Sequence, residues 1–372
     1  MRFLFYTHSL VSDWNHGNAH FLRGVMRELI ARGHEAVALE TENGWSRTNM
    51  VAEDPEAVAR FQADFPFLTS RSYGADFDHE AELSQADVVI VHEWTDPALV
   101  EFIGKVKRRG GRFTLIFHDT HHRAVSEEAA ISSLKLEDYD LVLAFGEALR
   151  ERYLRQGWGR NVHTWHEAAD IALFKPLPGI ERDTDLIWIG NWGDGERSAE
   201  LMEFLIEPVK RLGISANLHG VRYPDHALKA LCEAGIAYRG WLPNARVPEA
   251  FARHRVTVHV PRRPYVESLP GIPTIRMFEA LACGIPLISA PWDDAEGLFR
   301  PRQDFLFAMN GGEMQMLLRE VLNDPDLAST LAANGLETIR RHHTCAHRVE
   351  QLLTILARTR LEPQTGQRES VQ

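Results

Sequence analysis

The segment with the most chemical information runs from residue 270 to residue 290 and reads PGIPTIRMFEALACGIPLISA. Its turn residues lead into a predicted helix near Thr274, which stops at a glycine before a predicted strand. Unpaired amides at such a helix start, around Thr274 and Ile275, suit a diphosphate, and Arg276 adds positive charge. Glu279 lies on the same helical face and could accept hydrogen bonds from ribose hydroxyls. The alternative is a solvated Glu279 and a salt-bridged Arg276.

A glycine-rich turn at residues 189–197, IGNWGDGER, is a second candidate for phosphate contact. It joins a predicted strand to a predicted helix, and its glycines let the backbone approach a phosphate closely. Gly190 and Asn191 at its start are therefore predicted to contact the phosphate-bearing ligand.

Two further segments could contact a ligand. Gly17 and Asn18 follow the first predicted strand at a helix start, which suits a phosphate or an acceptor, although a plain tight turn explains them nearly as well. In residues 238–243, YRGWLP, Trp241 offers an aromatic face and the backbone near Leu242 offers partners for a nucleotide base. The alternative for Trp241 is a place in the core.

Short apolar runs alternate with amphipathic segments along the chain. Strands are predicted at residues 2–7, 37–39, 86–92, 113–117 and 141–145, and then at 186–189, 216–219, 237–238, 256–260 and 286–289. Such alternation is typical of parallel, doubly wound sheets. The predicted fold class is α/β, with two Rossmann-like doubly wound parallel-sheet domains facing each other across a cleft. No G-x-G-x-x-G follows either first strand, which disfavours a nicotinamide dehydrogenase.

Two prolines and a glycine in residues 175–180 predict a hinge between the domains. We expect an N-terminal domain over residues 1–170 and a C-terminal domain, which carries the predicted diphosphate-binding segments, over residues 171–340. A final helix, with apolar spacing over residues 335–357, should pack back toward the first domain through residues 341–360. Residues 361–372 should form a frayed tail.

Composition restricts the partners and the location. The net charge of −11 argues against nucleic-acid binding, which needs a basic face. The histidines His118, His121 and His122 have no partner at metal-ligand spacing, and no CxxC pair occurs, so neither a metal nor another cofactor is expected. No apolar window approaches the roughly 20 residues of a membrane span, and the start lacks a signal-peptide pattern, so we expect a cytoplasmic protein.

The run from Glu279 to Pro286 resembles the donor-site helix of retaining, family-four-type glycosyltransferases with the GT-B fold, whose pattern is Glu, seven residues, Glu-Ala-x-Ala-x-Gly-x-Pro. Gly271 stands at the position of the first glutamate. The resemblance is therefore closer to the spore-maturation (CgeB-like) branch, whose pattern is Arg-x-Phe-Glu-Ala-x-Ala-x-Gly. Residues 166–176, HEAADIALFKP, resemble the segment with which these enzymes leave their first domain.

The resemblance also implies roles for individual residues. Arg197 matches the phosphate-binding basic residue at the end of the glycine-rich turn, although an ordinary surface arginine is the alternative. Asn191 stands where the larger family often has an arginine, for which Arg276 could substitute. His118 and Asp119 resemble a His-Asp pair beside the donor sugar, and Asp119 could instead hold its loop. The predicted catalytic residues are thus His118, Arg197 and Arg276.

The implied function is the transfer of a hexose-like sugar from a nucleotide-diphosphate sugar to a glycan, lipid, protein or small molecule, with retention and without a metal. One alternative is a nucleotide-sugar 2-epimerase on the same architecture, which would need acid and base carboxylates around the sugar. Another is a noncatalytic sugar-nucleotide or protein-binding module, consistent with Gly271 and Asn191.

Overall fold

The computed structural model describes residues 1–193 and 195–361. The first half of the chain forms a sheet of seven parallel strands in the order β3-β2-β1-β4-β5-β6-β7. The strands are β1 (Arg2–Tyr6), β2 (Glu35–Thr41), β3 (Thr69–Tyr73), β4 (Val88–His92), β5 (Thr114–Asp119), β6 (Leu141–Ala144) and β7 (Val162–Thr164). The helices are α1 (Ala19–Ala31), α2 (Trp45–Glu53), α3 (Ala57–Asp64), α4 (His79–Leu83), α5 (Pro97–Arg108), α6 (Arg123–Ser126), α7 (Glu128–Ser132) and α8 (Glu147–Gln156). Helices cover both faces, so β4 is buried along its whole length.

The second half forms a parallel sheet of six strands in the order β10-β9-β8-β11-β12-β13. The strands are β8 (Thr184–Ile189), β9 (Ala216–His219), β10 (Ile236–Tyr238), β11 (His254–His259), β12 (Leu287–Ser289) and β13 (Leu306–Phe307). The helices are α9 (Ser198–Leu201), α10 (Glu207–Leu212), α11 (Asp225–Glu233), α12 (Val247–Ala252), α13 (Arg263–Glu267), α14 (Ile275–Cys283), α15 (Gly311–Asn323), α16 (Pro325–His342) and α17 (Cys345–Leu361). A π-helical turn, Met202–Ile206, joins α9 to α10, and a 3-10 turn, Asn244–Arg246, precedes α12.

Both sheets reverse their strand order beside their first strand, at β1/β4 and at β8/β11. Loops leaving such a switch point diverge and open a crevice at the carboxyl ends of the strands. The predicted fold class, two parallel doubly wound α/β domains, is confirmed. The first sheet ends at Thr164 and the second begins at Thr184, so the predicted boundary between residues 170 and 171 falls in the connecting segment and stays a prediction.

The structure corrects the elements that sequence patterns describe least well. Strand β3 was not predicted because it is a polar edge strand, TSRSY, whereas β7 and β13 are too short to show a pattern. The predicted continuous helix over residues 335–357 is wrong, since the chain leaves the helix at His343 and Thr344. There Ala169 N donates to His343 O at 2.9 Å and Cys345 N donates to Ala169 O at 3.0 Å. These tertiary hydrogen bonds replace those of a helix.

The predicted tail lies outside the described residues except for Leu361. Within the two described ranges, no helix has both the length and the apolar character needed to cross a membrane.

Helices α1, α14 and α17 share one apolar core, which joins the two halves of the chain. Helix α1 lies close to the start of α17 at Gly24, where a Cβ atom would lie 2.5 Å from Cys345 Sγ and 2.7 Å from Asp170 Cβ. Trp165 Nε1 donates to Arg348 O at 2.9 Å in the same region. The last helix therefore packs on the first one, beside the connecting segment.

We predict that Gly24→Ala lowers the midpoint of thermal unfolding. In an unhindered helix this change stabilises by up to about 1 kcal/mol, but overpacking at the α1–α17 contact costs roughly 1–3 kcal/mol. Gly104→Ala is the matched control, because in α5 the nearest atom to the added Cβ lies at an ordinary 3.4 Å. An increase in the midpoint for both variants would contradict the close contact.

Candidate functional site

The carboxyl ends of the two sheets face each other across a cleft that holds a cavity of about 560 Å³, within the roughly 300–1,000 Å³ of small-molecule sites. Segments after β1, β2, β4, β5, β6 and β7 form one wall, and segments after β8, β9 and β11 form the other together with the first turn of α14. Of the residues predicted from the sequence, those lining this cavity are Gly17, Asn18, Asn191, Arg197, Thr274, Ile275 and Arg276.

The first turn of α14 presents backbone N–H groups to the cleft. The Thr274 side chain accepts no hydrogen bond from the described residues of that turn. Its hydroxyl lies 3.0 Å from His259 Nε2, and His259 Nδ1 lies 2.9 Å from Ser289 Oγ. The Ser289 hydroxyl donates to Ala290 O, so His259 donates from Nδ1 and accepts from Thr274. Burial lowers the pKa of His259 to about 3, which keeps the ring neutral. The helix amides are thus left for a ligand.

Glu279 is held from both domains in this structure. Arg276 donates to one carboxylate oxygen, and His20 Nδ1 on α1 lies 2.9 Å from the other. The second contact is close but poorly aligned for a hydrogen bond. Asp170 N donates to His20 Nε2 at 3.2 Å, so Nδ1 carries the ring hydrogen and faces the carboxylate. Together these contacts hold the first turns of α1 and α14 against each other.

This environment corrects the expected exposure of Glu279. Its side chain is 0% exposed and does not line the cavity, because it stands one helical turn deeper than Arg276 and lies under α1. A ribose could reach its oxygens only if α1 and α14 separated, so the predicted ribose contact stays a prediction that requires an opened cleft.

The glycine-rich turn folds over Arg197. The guanidinium donates to Val260 O at 3.1 Å and to Asn191 O at 2.7 Å, and it lies 5.2 Å from the centre of the Trp188 ring. Gly193 has a φ of 92°, and a Cβ there would lie 2.8 Å from Arg197 Cγ. Burial, with Arg262 nearby, lowers the pKa of Arg197 to about 9. Arg197 thus remains a cation, and its Nε has no partner among the described residues.

Gly190 and Asn191 occupy different positions relative to the cavity. Gly190 lies behind the turn, where its carbonyl accepts from the Tyr223 hydroxyl at 2.8 Å, and it does not line the cavity. Asn191 lines the cavity and joins the two walls, because its side-chain amide donates to Asn15 Oδ1. Its Oδ1 accepts from Val221 N at 2.9 Å. Asn191 is therefore a structural bridge as well as a candidate contact.

On the opposite wall, Gly17 and Asn18 begin α1 directly across from α14. A Cβ at Gly17 would lie 3.1 Å from Ile275 Cγ2, so the two helix starts are in close contact. The Asn18 side chain donates to Thr120 O at 3.1 Å and makes no capping hydrogen bond to the described residues of α1. Both helix N-termini thus contribute positive potential to the same cavity.

His118 does not line the cavity, contrary to the sequence prediction. It is still within β5 and points into the core, where its ring packs 4.8 Å from Trp165 and its Nδ1 lies 3.3 Å from His92 Nε2. Burial, with His92 nearby, holds the pKa of His118 well below its usual range. Asp119 accepts from the Tyr153 hydroxyl at 2.7 Å and holds its loop. The cavity is lined instead by His121, which lies three residues further along the chain.

Trp241 and Leu242 also lie outside the cavity lining. Trp241 packs against the interdomain core, and its Nε1 donates to Asp13 Oδ1 of the N-terminal wall at 3.0 Å. Asp13 also pairs with Arg23 at 2.8 Å. Trp241 therefore connects the domains, and the exposed indoles in the cavity are Trp45 and Trp94.

Arg262 is a cavity residue that sequence reasoning missed because its loop carries no motif. Arg262 donates to Glu196 at 2.6 Å, and His122 Nε2 lies 3.4 Å from the same carboxylate. Burial alone would raise the pKa of Glu196, but His122 and Arg262 lower it to about 2. Within the described chain, no group of three or more His, Cys, Asp or Glu side chains is arranged to hold a metal ion.

Glu167 is another cavity residue that sequence reasoning missed. It lies in the segment 166–176 that sequence analysis regarded as structural, yet it lines the cavity. Its side chain is buried, and Oε1 has no partner among the described residues. Burial, together with Glu279 and Glu93, raises the pKa of Glu167 well above its usual range. The Glu167 carboxyl group, which faces the cleft, therefore keeps its proton to a higher pH than an exposed glutamate does.

We predict that Glu167→Gln becomes more stable relative to the wild type as the pH rises. The folded protein holds the Glu167 proton at a pH where the unfolded chain, with a pKa near 4.5, releases it. Folding stability from this group is therefore complete below pH 4.5 and falls as the pH rises toward the folded-state pKa. Thermal midpoints at pH 5 and pH 8 measure the effect.

Glu147→Gln provides the control of opposite sign. A hydrogen bond from Thr164 lowers the pKa of Glu147, so its stabilising effect is present above the unfolded pKa and is lost as the pH falls. Its removal should destabilise the protein at pH 8. A pH-independent difference between Glu167→Gln and the wild type would contradict the raised pKa of Glu167.

Comparisons with known proteins agree with this geometry. Residues 197–354 match a family model described as glycosyl transferase-like. A search of curated proteins gives no significant match. Sucrose-phosphate synthase from Thermosynechococcus elongatus is 15% identical with a TM-score of 0.63, and the alignment covers 96% of this chain and 98% of that one. HepE from Anabaena, solved with UDP-glucose, is 14% identical with a TM-score of 0.66, and coverage is 96% and 100%.

An α-glucosyltransferase solved with UDP and a 13-mer DNA containing an HMU base is 12% identical with a TM-score of 0.67, and coverage is 96% and 99%. These structural likenesses establish the GT-B fold. The family match adds the class: residues 197–354 form a glycosyltransferase family domain, and the predicted enzyme class, glycosyltransferase, is confirmed.

Proposed function

We propose that the chain transfers a sugar from a nucleoside-diphosphate sugar, bound in the cleft, to an acceptor on the N-terminal wall. The observation that carries this proposal is the meeting of two helix N-termini, at Asn18 and Thr274, beside Arg197 and Arg276. Buried polar groups are normally hydrogen-bonded. An anionic ligand would supply a partner for Arg197 Nε, which has none among the described residues.

The same groups explain how transfer would be accelerated. As the glycosidic bond breaks, negative charge grows on the departing β-phosphate. Fixed amides and guanidinium groups stabilise that charge more in the transition state than in the ground state, and they need no reorganisation. Arg197 is fixed by two carbonyl contacts and Arg276 by Glu279, so both are oriented before the donor binds.

UDP-glucose is the first donor to test, because solved structures with this fold contain UDP or UDP-glucose. We propose retention of configuration and membership in the CgeB-like branch on the pattern of residues 276–284. Metal independence is proposed because Arg197 and Arg276 supply positive charge at the expected phosphate position.

The 2-epimerase is the second candidate, because Glu167 places a carboxyl group without an ion-pair partner among the described residues in the cleft. Product analysis separates the two functions. Transfer or slow hydrolysis of UDP-glucose supports the transferase, whereas inversion at C2 of the sugar supports the epimerase.

We predict that Arg276→Ala and Arg197→Ala each weaken UDP binding by more than about 1 kcal/mol, the lower range for a charge-assisted hydrogen bond. Uridine should bind almost unchanged because it lacks the diphosphate. Titration calorimetry with EDTA present also tests the need for a metal.

Arg253→Ala is the matched control for these variants. Arg253 pairs with Glu249 at 2.9 Å and does not line the cavity, so UDP affinity should stay at the wild-type value. Equal losses for uridine and UDP in the Arg276 variant would mean that this arginine supports the fold or the base site.

A further inference from the structure

A fixed and exposed indole stands on the N-terminal wall of the cleft. Trp94 follows β4, lines the cavity and is 42% exposed. The Arg123 guanidinium lies 4.3 Å from its ring centre. Arg123 is held in turn by Glu93 O at 3.0 Å and by the Glu127 carboxylate at 3.0 Å. The indole is therefore oriented before any ligand binds, which lowers the entropy cost of binding.

Two imidazole groups lie next to this indole, and a third lies next to one of them. The rings of His8 and His121 lie 5.9 Å and 5.3 Å from Trp94, and the His16 ring lies 5.0 Å from His8. His16 Nε2 and His121 Nδ1 are buried and have no partner among the described residues. Burial holds the pKa of both groups well below the usual range. Each ring is therefore neutral at pH 7, with one donor and one acceptor nitrogen.

We propose that Trp94, with His16 and His121, forms the acceptor subsite and that the acceptor is a carbohydrate. A pyranose has a face of C–H groups, which packs on an aromatic ring, and a rim of hydroxyls, which can both donate to and accept from neutral imidazoles. The inference rests on the proposed function, because it assigns the acceptor of that reaction.

The charges at this wall fit a sugar better than a nucleic acid. Nucleic-acid binding needs cations that are available to phosphates, whereas Arg123 is covered by Trp94 and paired with Glu127. The net charge of −11 acts in the same direction. Trp94 also shares its cavity with the α14 N-terminus, so a sugar on Trp94 would lie in the same cavity as the proposed donor.

The test measures the binding of methyl β-glucoside, methyl β-galactoside and methyl N-acetyl-β-glucosaminide by saturation-transfer NMR, with UDP present. At least one glycoside should bind the wild type, and Trp94→Ala should weaken it about tenfold, whereas Trp94→Phe keeps an aromatic face and should lose less. UDP affinity should not change in Trp94→Ala.

Trp45→Ala is the matched control, since Trp45 is the other exposed indole of the cavity. Glycoside binding should survive this change. Equal glycoside binding by Trp94→Ala and the wild type, or no glycoside binding by a wild type that binds UDP, would overturn the proposal. Binding of a thymidine oligonucleotide in place of the glycosides would overturn it in favour of a nucleic-acid acceptor. A wild type that binds no UDP would instead refute the proposed function.

Discussion

The organisation of the cleft depends on the buried contact of Glu279 with Arg276 and His20. A carboxylate with 0% exposure is costly unless cations or hydrogen-bond donors compensate it. Here one partner comes from its own helix and the other from α1 of the opposite domain. Removing either partner would leave a buried charge, so this contact fixes how α1 meets α14. The cavity, the two converging helix N-termini and the orientation of Arg276 all follow from that arrangement.

The sequence predicted the features that depend on local pattern. Alternating apolar runs indicated two parallel sheets, and the turn before Ile275 indicated the start of α14. The sequence did not indicate the features that depend on tertiary contacts. The break at His343 and Thr344 arises from hydrogen bonds to Ala169, a residue far away in the chain. Propensity alone would have continued the helix.

The candidate site shows the same contrast between features set by local sequence and features set by tertiary contacts. Thr274, Arg276 and Arg197 line the cavity because a helix start and a glycine-rich turn determine their positions locally. His118, Trp241 and Glu279 were assigned from residue type or resemblance, but whether a side chain reaches the cleft depends on the opposite domain. Glu167 and Trp94 gave no signal because an isolated glutamate or tryptophan has no recognisable spacing. Glu167 is distinguished by a buried oxygen that has no partner among the described residues, and Trp94 by a fixed, exposed indole.

The central claim is that a diphosphate binds where α1 and α14 meet. A crystal structure of the protein with UDP tests it most directly. The account predicts phosphate oxygens within about 3.2 Å of the Ile275 and Arg276 amides and of the Arg197 guanidinium. A diphosphate bound elsewhere in the cleft, with these groups still unoccupied, would contradict it.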